Sequence, residues 1–216
     1  MPDGAPDYLY LGMASGIAQL FLWLPGLLFA LTVHEYAHGR VAYALGDPTP
    51  ARAGRLTLNP LSHLDPLGTI ALFLFHFGWA KPVPINPYYF RHPRRDIVLV
   101  SLAGPGANLL TAIAAGVILK ILTRAGYIYN PLWYMVLYTM DINVILAMFN
   151  LIPIPPLDGS KILFGLAKVR PSTVFFLERY GPTILLAVIV FGALSGINIL
   201  WFFIQPGIKL FHAVFL

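Results

Sequence analysis

With 216 residues that are 58% hydrophobic and 11% charged, and with a mean hydropathy of +0.74, the chain is too apolar for an ordinary soluble domain and is typical of an integral membrane protein. It contains no cysteine, which excludes disulfides and thiolate metal sites, so any metal must be bound by His, Asp or Glu. The net charge of +5 does not indicate a nucleic-acid partner, because the basic residues are spread over the loops between apolar segments.

The first predicted element is an apolar helix over residues 8–45. A membrane span needs only about 20 helical residues, so we expect the C-terminal part of this helix to protrude or to lie in a wet cavity. The N-terminus has no charged region and no small-residue cleavage site, so we expect no signal peptide. The chain is interpreted as a single domain over residues 1–216.

The end of this helix carries the sequence LTVHEYAHGR, residues 31–40. In a helix, His34 and His38 lie one turn apart on the same face, where two imidazoles can bind one zinc ion. Glu35 is next to the first histidine and is placed to act as a general base. The alternative is an accidental spacing at a helix end. Because ionisable groups at membrane depth are costly, the functional interpretation is favoured.

Two shorter elements follow. Residues 67–77 form an apolar run that is too short to cross a bilayer, which predicts a re-entrant or interfacial helix. The next segment, GWAKPVPINP at residues 78–87, contains three prolines and cannot be helical, so we expect a short extended hairpin.

The second and third predicted spans are residues 97–122 and 131–151. The second contains AGPGAN at residues 103–108, whose small residues permit close helix packing, and a buried Asn108 would need hydrogen-bond partners. In the third, Asp141 is expected to make a polar contact with a neighbouring span, and a role in gating substrate is the second interpretation.

A catalytic zinc site needs a third protein ligand. Among the remaining acidic residues and histidines, Asp158 is the best candidate. It lies in NLIPIPPLDG, residues 150–159, where three prolines break the helix and irregular backbone can line a cavity. The same residues are also compatible with a simple turn in which Asp158 caps a helix. From the residues alone the two interpretations stay open. His63, His76, His92 and His212 are each isolated and are not expected to be ligands.

The fourth predicted span is residues 183–204, which gives an all-α polytopic membrane protein of about four transmembrane helices. With four spans, eleven Lys and Arg residues fall on one side of the membrane and three on the other. This bias predicts that the richer side is cytoplasmic, that both termini lie outside and that the active site faces the cytoplasm of the cell membrane.

The motifs HEYAHG, GWAKPVPINP, SLAGPGANLL and NLIPIPPLDG, taken together and in this order, resemble the site-2 protease family of intramembrane zinc metalloproteases. The resemblance covers about residues 30–165 and is greatest to short bacterial members without PDZ or CBS domains. It implies one zinc ion per chain, bound by His34, His38 and Asp158, with Glu35 as the catalytic base. It also implies transmembrane protein substrates within the lipid bilayer.

The chemistry predicts how such a substrate is bound. A transmembrane helix must unwind before its peptide bonds can be hydrolysed, and the unwound backbone then needs new hydrogen-bond partners. We expect Lys81, Val83 and Asn86 to form an extended edge for it, with Asn108 and Asn150 adding bonds near the zinc. The alternative function is a metal transporter or regulator that binds zinc without hydrolysis. The sequence does not indicate the substrate or the oligomeric state.

Overall fold

The computed structural model describes residues 16–75 and 78–216. Eight α-helices lie within these residues. The β pairing among them is one isolated antiparallel bridge between Leu64 and Ala80. The helices are α1 (Gly16–Ala44), α2 (Thr49–Arg52), α3 (Pro66–Phe75), α4 (Pro93–Arg124), α5 (Pro131–Asn150), α6 (Asp158–Leu166), α7 (Pro171–Ser195) and α8 (Ile199–Phe215).

Four of these helices, α1, α4, α5 and α7, are long and apolar enough to cross a membrane. The prediction of an all-helical membrane protein with four spans is therefore confirmed. Residues 8–15 of the first predicted span lie outside the described residues. The short apolar run forms α3, and its last two predicted residues, 76 and 77, also lie outside the described residues.

The predicted bounds of the fourth span, residues 183–204, are wrong. The helix α7 begins twelve residues earlier, at Pro171, and ends at Ser195, after which Gly196 adopts a left-handed conformation with φ of 74°. Asn198 then caps α8 by accepting a hydrogen bond from the Trp201 amide at 3.1 Å. Because both sides of this break are apolar, hydropathy alone merges two helices into one span.

The interior of the molecule is built mainly by α1, α4 and α5, which pack against one another. At the crossing of α1 and α5, a Cβ on Gly26 would come within 2.7 Å of Thr139 Oγ1, so only glycine allows this approach. The largest apolar cluster lies between α4, α5 and α8, where Leu119, Leu137 and Val144 are fully buried. Most side chains of α7 are exposed, as expected for a helix that faces lipid.

One polar contact joins α5 to α8. His212 Nε2 lies 2.7 Å from Asp141 Oδ1, and both side chains are largely buried. The predicted polar contact of Asp141 is therefore confirmed, but its partner lies on the short apolar helix α8 and not on one of the four candidate spans.

The proline-rich segment is not helical, as predicted, but the expected hairpin is not formed within residues 78–87, since its prolines lack the amide hydrogens that strand pairing needs. Residues 81–86 contain neither helix nor strand, and the segment ends in a 3-10 turn at Pro87–Tyr89. Its pairing is limited to the bridge at Ala80 and to a hydrogen bond of 2.9 Å from the Lys81 amide to the His63 carbonyl.

Candidate metal centre

Three buried side chains converge beside the C-terminal half of α1. His34 and His38 lie one turn apart on this helix, and their Nε2 atoms are 3.0 Å apart. Asp158 is the first residue of α6, and its Oδ2 lies 3.3 Å from His34 Nε2 and 3.1 Å from His38 Nε2. The fold therefore brings together three residues that the sequence separates by up to 124 positions, from His34 to Asp158.

The other nitrogen of each imidazole is fixed by a neighbour on α4. His34 Nδ1 donates to Asn108 Oδ1 at 2.6 Å, and His38 Nδ1 donates to the Val100 carbonyl at 2.7 Å. The orientation of the Asn108 amide is itself fixed, because its Nδ2 donates to the Ala30 carbonyl at 3.0 Å. Both rings are therefore held in the tautomer that carries its proton on Nδ1, with Nε2 available as a ligand.

This donor set fits a zinc ion. In neutral rings of this tautomer, two Nε2 lone pairs and a carboxylate oxygen face one another at 3.0–3.3 Å, which is repulsive unless a cation lies between them. Ligand bonds of 2.0–2.1 Å in tetrahedral geometry place neighbouring donor atoms roughly 3.3 Å apart, close to the observed spacing. Two histidines and one carboxylate leave the fourth position open, which is the arrangement of catalytic zinc sites.

The position of Asp158 depends on a close contact between the start of α6 and the residues that follow α5. The helix α6 begins at Asp158, and no side chain caps it, so Asp158 does not serve as a helix cap. A Cβ on Gly159 would come within 2.6 Å of the Ile152 carbonyl oxygen, so only glycine can follow Asp158 here.

The helix α4 approaches the two imidazoles at Gly104. A Cβ on this residue would collide with His38 Nε2 and would come within 2.7 Å of His34 Cε1. Sequence reasoning interpreted the glycines of AGPGAN as general packing residues and missed this role. The signal was present, since Gly104 is separated from Asn108, the partner of His34, by one helical turn.

A cavity of about 580 Å³ lies over the centre. It is lined by all three candidate ligands and by Glu35, which is half-buried. Oε2 of Glu35 accepts a hydrogen bond from the Val83 amide at 2.9 Å, so the candidate base contacts the extended segment directly. The structure therefore brings a carboxylate, a metal-binding triad and an extended peptide segment into one cavity.

The predicted substrate-binding residues divide into three groups. Val83 and Asn150 line the cavity, and among the described residues Asn150 bonds only its own helix, from Nδ2 to the Leu146 carbonyl at 3.0 Å. Lys81 and Asn86 flank the cavity without lining it. Asn108 is fully buried beneath His34 and also donates to Asn143 Oδ1 at 2.8 Å. Its observed contacts orient a ligand rather than reach into the cavity.

Two buried charged residues, Arg55 and Asp47, bind the ends of the extended segment. The sequence analysis identified neither of them. Arg55 Nη2 donates to the Lys81 carbonyl at 2.7 Å and to the Pro82 carbonyl at 2.8 Å. Asp47 Oδ2 accepts from the Asn86 amide at 2.7 Å. Among the described residues neither charge makes an ion pair, so each is stabilised by backbone groups. A loop position gives no sequence signal that distinguishes such residues from solvated ones.

Comparison with known proteins agrees with this geometry. A sequence model of peptidase family M50 matches residues 121–192, a range that includes Asp158. YwhC of Bacillus subtilis, which is named as a zinc metalloprotease, is 39% identical over 206 residues, which cover 88% of this chain and 90% of YwhC. No solved structure matches the chain.

Two mycobacterial proteins, both named as the zinc metalloprotease Rip2, are also similar. Rip2 of Mycolicibacterium smegmatis is 32% identical over 200 residues, covering 88% of this chain and 73% of that protein. Rip2 of Mycobacterium tuberculosis strain H37Rv is 32% identical over 191 residues, covering 83% of this chain and 69% of that protein. These relatives and the donor set at the centre together identify the metal as zinc.

Proposed function

Since the chain belongs to peptidase family M50, the site-2 protease family of intramembrane zinc proteases, we propose that it cleaves transmembrane segments of other proteins at the centre formed by His34, His38 and Asp158. The observation that carries this proposal is the convergence of three donor atoms beside Glu35 in one cavity. A fully assembled triad with an adjacent carboxylate is the arrangement that metal-assisted peptide hydrolysis requires.

Zinc, when bound, supplies a Lewis acid that activates water and polarises the scissile carbonyl. Glu35 is the general base that takes the proton from the attacking water and then delivers it to the leaving amine nitrogen. The Val83 amide orients Glu35 by bonding one carboxylate oxygen, which leaves the other oxygen for the water. His34 and His38 stay in the Nδ1–H tautomer throughout, because Asn108 and Val100 accept those protons.

The extended segment receives the unwound substrate. The amides of Lys81, Val83 and Asn86 are already bonded within the protein, and Pro82 and Pro84 have no amide hydrogen. Among the described residues, the Ile85 amide and the carbonyls of residues 83–85 make no hydrogen bond, so these groups are left for a substrate backbone. The edge is therefore short, which limits strand addition to the few residues around the scissile bond. Asn150, at the cavity wall, adds a side-chain partner.

The orientation of the protein follows from its charges. The loops that carry Asp158 and the extended segment hold most of the basic residues, which supports an active cavity on the cytoplasmic side and termini outside. The cavity then receives water from the cytoplasm, while the substrate helix approaches through the bilayer. This arrangement allows hydrolysis at the edge of a medium that excludes water.

Metal transport or metal-dependent regulation without hydrolysis is the alternative from another class. It is not favoured, because the relatives are named as proteases and because transport needs ligands but no general base. Glu35 is half-buried beside the triad and bonds the Val83 amide, which is a placement that transport leaves unexplained.

The test compares the base with a ligand. We expect Glu35→Gln to retain about one zinc per chain and to lose cleavage, because the amide keeps the shape but cannot accept the proton. Asp158→Ala should lose both zinc and cleavage, since two ligands remain. Zinc is measured by elemental analysis of the purified protein, and substrates are captured on the inactive Glu35→Gln chain. Normal zinc content in Asp158→Ala, or cleavage by Glu35→Gln, would contradict the assignment.

A further inference from the structure

A second cavity, of about 790 Å³, lies between the start of α4 and the end of α6. Four basic residues line it: Arg91, Arg94, Arg95 and Lys168. No acidic residue lines it. A cavity with this lining favours a negatively charged occupant.

Only one of these cations is used by the fold. Arg94 donates from Nε to the Gly165 carbonyl at 2.9 Å and from Nη2 to the Ala167 carbonyl at 2.7 Å, which satisfies carbonyls at the end of α6. The side chains of Arg91, Arg95 and Lys168 make no ion pair or hydrogen bond among the residues that the structure describes. Three cations are therefore available to a ligand.

The helix dipole adds to the positive potential at this point. The cavity includes the first turn of α4, where backbone amides carry a partial positive charge and cations are unfavourable. Asp96 is the acid of this turn, and it is buried with its Oδ2 accepting from the His92 amide, so it does not face the cavity. An anion in the cavity would relieve the repulsion between the cations and the helix end.

The surroundings indicate which anion fits. The helix α4 is one of the four candidate membrane spans, so its first turns lie where the bilayer meets water. Beside the cations, Leu99 on α4 and Leu166 on α6 line the same cavity, and both are exposed. A ligand here meets positive charge at one end and apolar side chains at the other. We propose that this cavity binds the headgroup of an anionic phospholipid, with its acyl chains along these leucines.

This lipid site adjoins the active cavity. Arg94 and Gly165 line both cavities, and the helix α6 carries Asp158 at its first residue and contacts the lipid site at its last turn. The requirement for positive charge on the cytoplasmic side explains basic residues anywhere in these loops. It does not explain why three cations without partners are gathered around one cavity.

The test measures lipid retention by the full-length chain purified in non-ionic detergent. Native mass spectrometry counts bound phosphatidylglycerol and, in a second arm, phosphatidylcholine with the same acyl chains. We expect phosphatidylglycerol to be retained preferentially. Arg91→Gln/Arg95→Gln should lower this preference about 25-fold and Lys168→Gln about fivefold, since each cation near a membrane surface contributes about fivefold to the binding of anionic lipid.

The matched control is Arg52→Gln/Arg179→Gln, which removes two exposed charges from the same predicted side of the membrane. It should retain the wild-type preference, and normal zinc content will show that each variant is folded. Equal loss in the two double variants would overturn the proposal, because only total charge would then matter. Displacement of phosphatidylglycerol by an equal concentration of inorganic phosphate would overturn it in favour of a free-anion site.

Discussion

At position 104 of α4 only a hydrogen atom fits between the helix backbone and the two imidazoles of the metal centre. We expect Gly104→Ala to push His34 and His38 apart and to lower zinc affinity by about tenfold or more, since small displacements around a ligand have effects of this size. Isothermal titration of the zinc-free protein with zinc measures the change.

Gly106 provides the control for this substitution. It lies on the same helix, and a Cβ there would meet no atom within 4 Å. Gly106→Ala should therefore bind zinc as the wild type does. If both variants bound zinc normally, the centre would have more freedom than its contacts imply.

A second prediction concerns Asn108, which accepts the Nδ1 proton of His34. Without this acceptor the His34 ring can rotate or change tautomer, so Asn108→Ala should lower zinc affinity about 10- to 100-fold. Because the zinc-loaded fraction retains an intact cavity, its KM should change little. Zinc affinity and the kinetics of the loaded enzyme, measured side by side, separate the two effects.

Asn150→Ala is the opposite case. Asn150 lines the cavity and, in the part of the chain that the structure describes, bonds only its own helix, so zinc affinity should be unchanged while KM rises. A raised KM in Asn108→Ala at full zinc loading would restore the substrate-binding role expected from the sequence.

These residues also show what the sequence could reveal about the site. His34, Glu35 and His38 follow from spacing alone, because a helix places positions i and i+4 on one face. The residues alone left Asp158 open between a ligand and a turn, since hydropathy does not say where a loop folds back. Asn108 could be recognised as a buried amide that needs partners, but the pattern does not show which neighbour it meets.

At the scale of elements, the extended segment is positioned by charges at both ends, and the third prediction concerns these. Arg55→Gln removes the donor to the carbonyls of Lys81 and Pro82, which frees the edge that receives substrate. We expect kcat/KM to fall by about tenfold to a hundredfold, mainly through KM, because a loosely positioned edge binds substrate poorly. Zinc content should not change.

Two further variants make this test specific. Arg55→Lys keeps a donor and should recover part of the loss, whereas Arg52→Gln, an exposed residue three positions earlier, should behave as the wild type. Asp47→Asn, at the other end of the segment, should weaken the bond to the Asn86 amide and raise KM in the same way. A loss of zinc in Arg55→Gln would indicate general misfolding and refute the positioning role.

The contact between α5 and α8 gives the fourth prediction. Asp141→Leu leaves the partly buried His212 without its carboxylate partner, and we expect the free energy of unfolding to fall by about 1–3 kcal/mol. The double variant Asp141→Leu/His212→Leu should lose less than the sum of the two single variants, with a coupling of about 0.6–1.7 kcal/mol. Unfolding in detergent measures all three, and exact additivity would mean that the two groups do not interact.

The sequence predicted the existence of most elements better than their ends. The spans corresponding to α4 and α5 were placed to within a few residues, because polar loops and Pro131 bound them. The junction of α7 and α8 was missed, since Gly196 and Asn198 are short signals inside a continuous apolar run.

For the whole molecule, the fifth prediction is a requirement on substrates. Few backbone groups of the extended segment are free, so a substrate must unwind over a short stretch whose own hydrogen bonds are weak. A transmembrane substrate in which Gly, Pro and Asn near the cut are replaced by Leu should be cleaved at least about tenfold more slowly, since each unpaired backbone group in an apolar setting costs several kcal/mol.

The control for this experiment keeps the composition and changes the position. The same Leu replacements at the opposite end of the substrate helix should leave cleavage unchanged. Equal cleavage of the all-Leu helix and the native one would contradict the unwinding requirement.

The overall architecture was predictable in part. Hydropathy gives the number of spans, because lipid demands long apolar helices. It gives neither the packing of α1 against α4 and α5 nor the return of α6 towards His38, which depend on close contacts at residues such as Gly26 and Gly159.

The distance in sequence between the ligands has a consequence in time. His38 and Asp158 are 120 residues apart, and a ribosome that adds roughly 5–20 residues per second needs about 6–24 s to synthesise that interval. During this period the nascent chain holds the histidine pair and Glu35 but lacks the third ligand. The proposed metal centre therefore cannot assemble until residue 158 has been synthesised, so a truncated chain that ends before it should bind zinc weakly and cleave nothing.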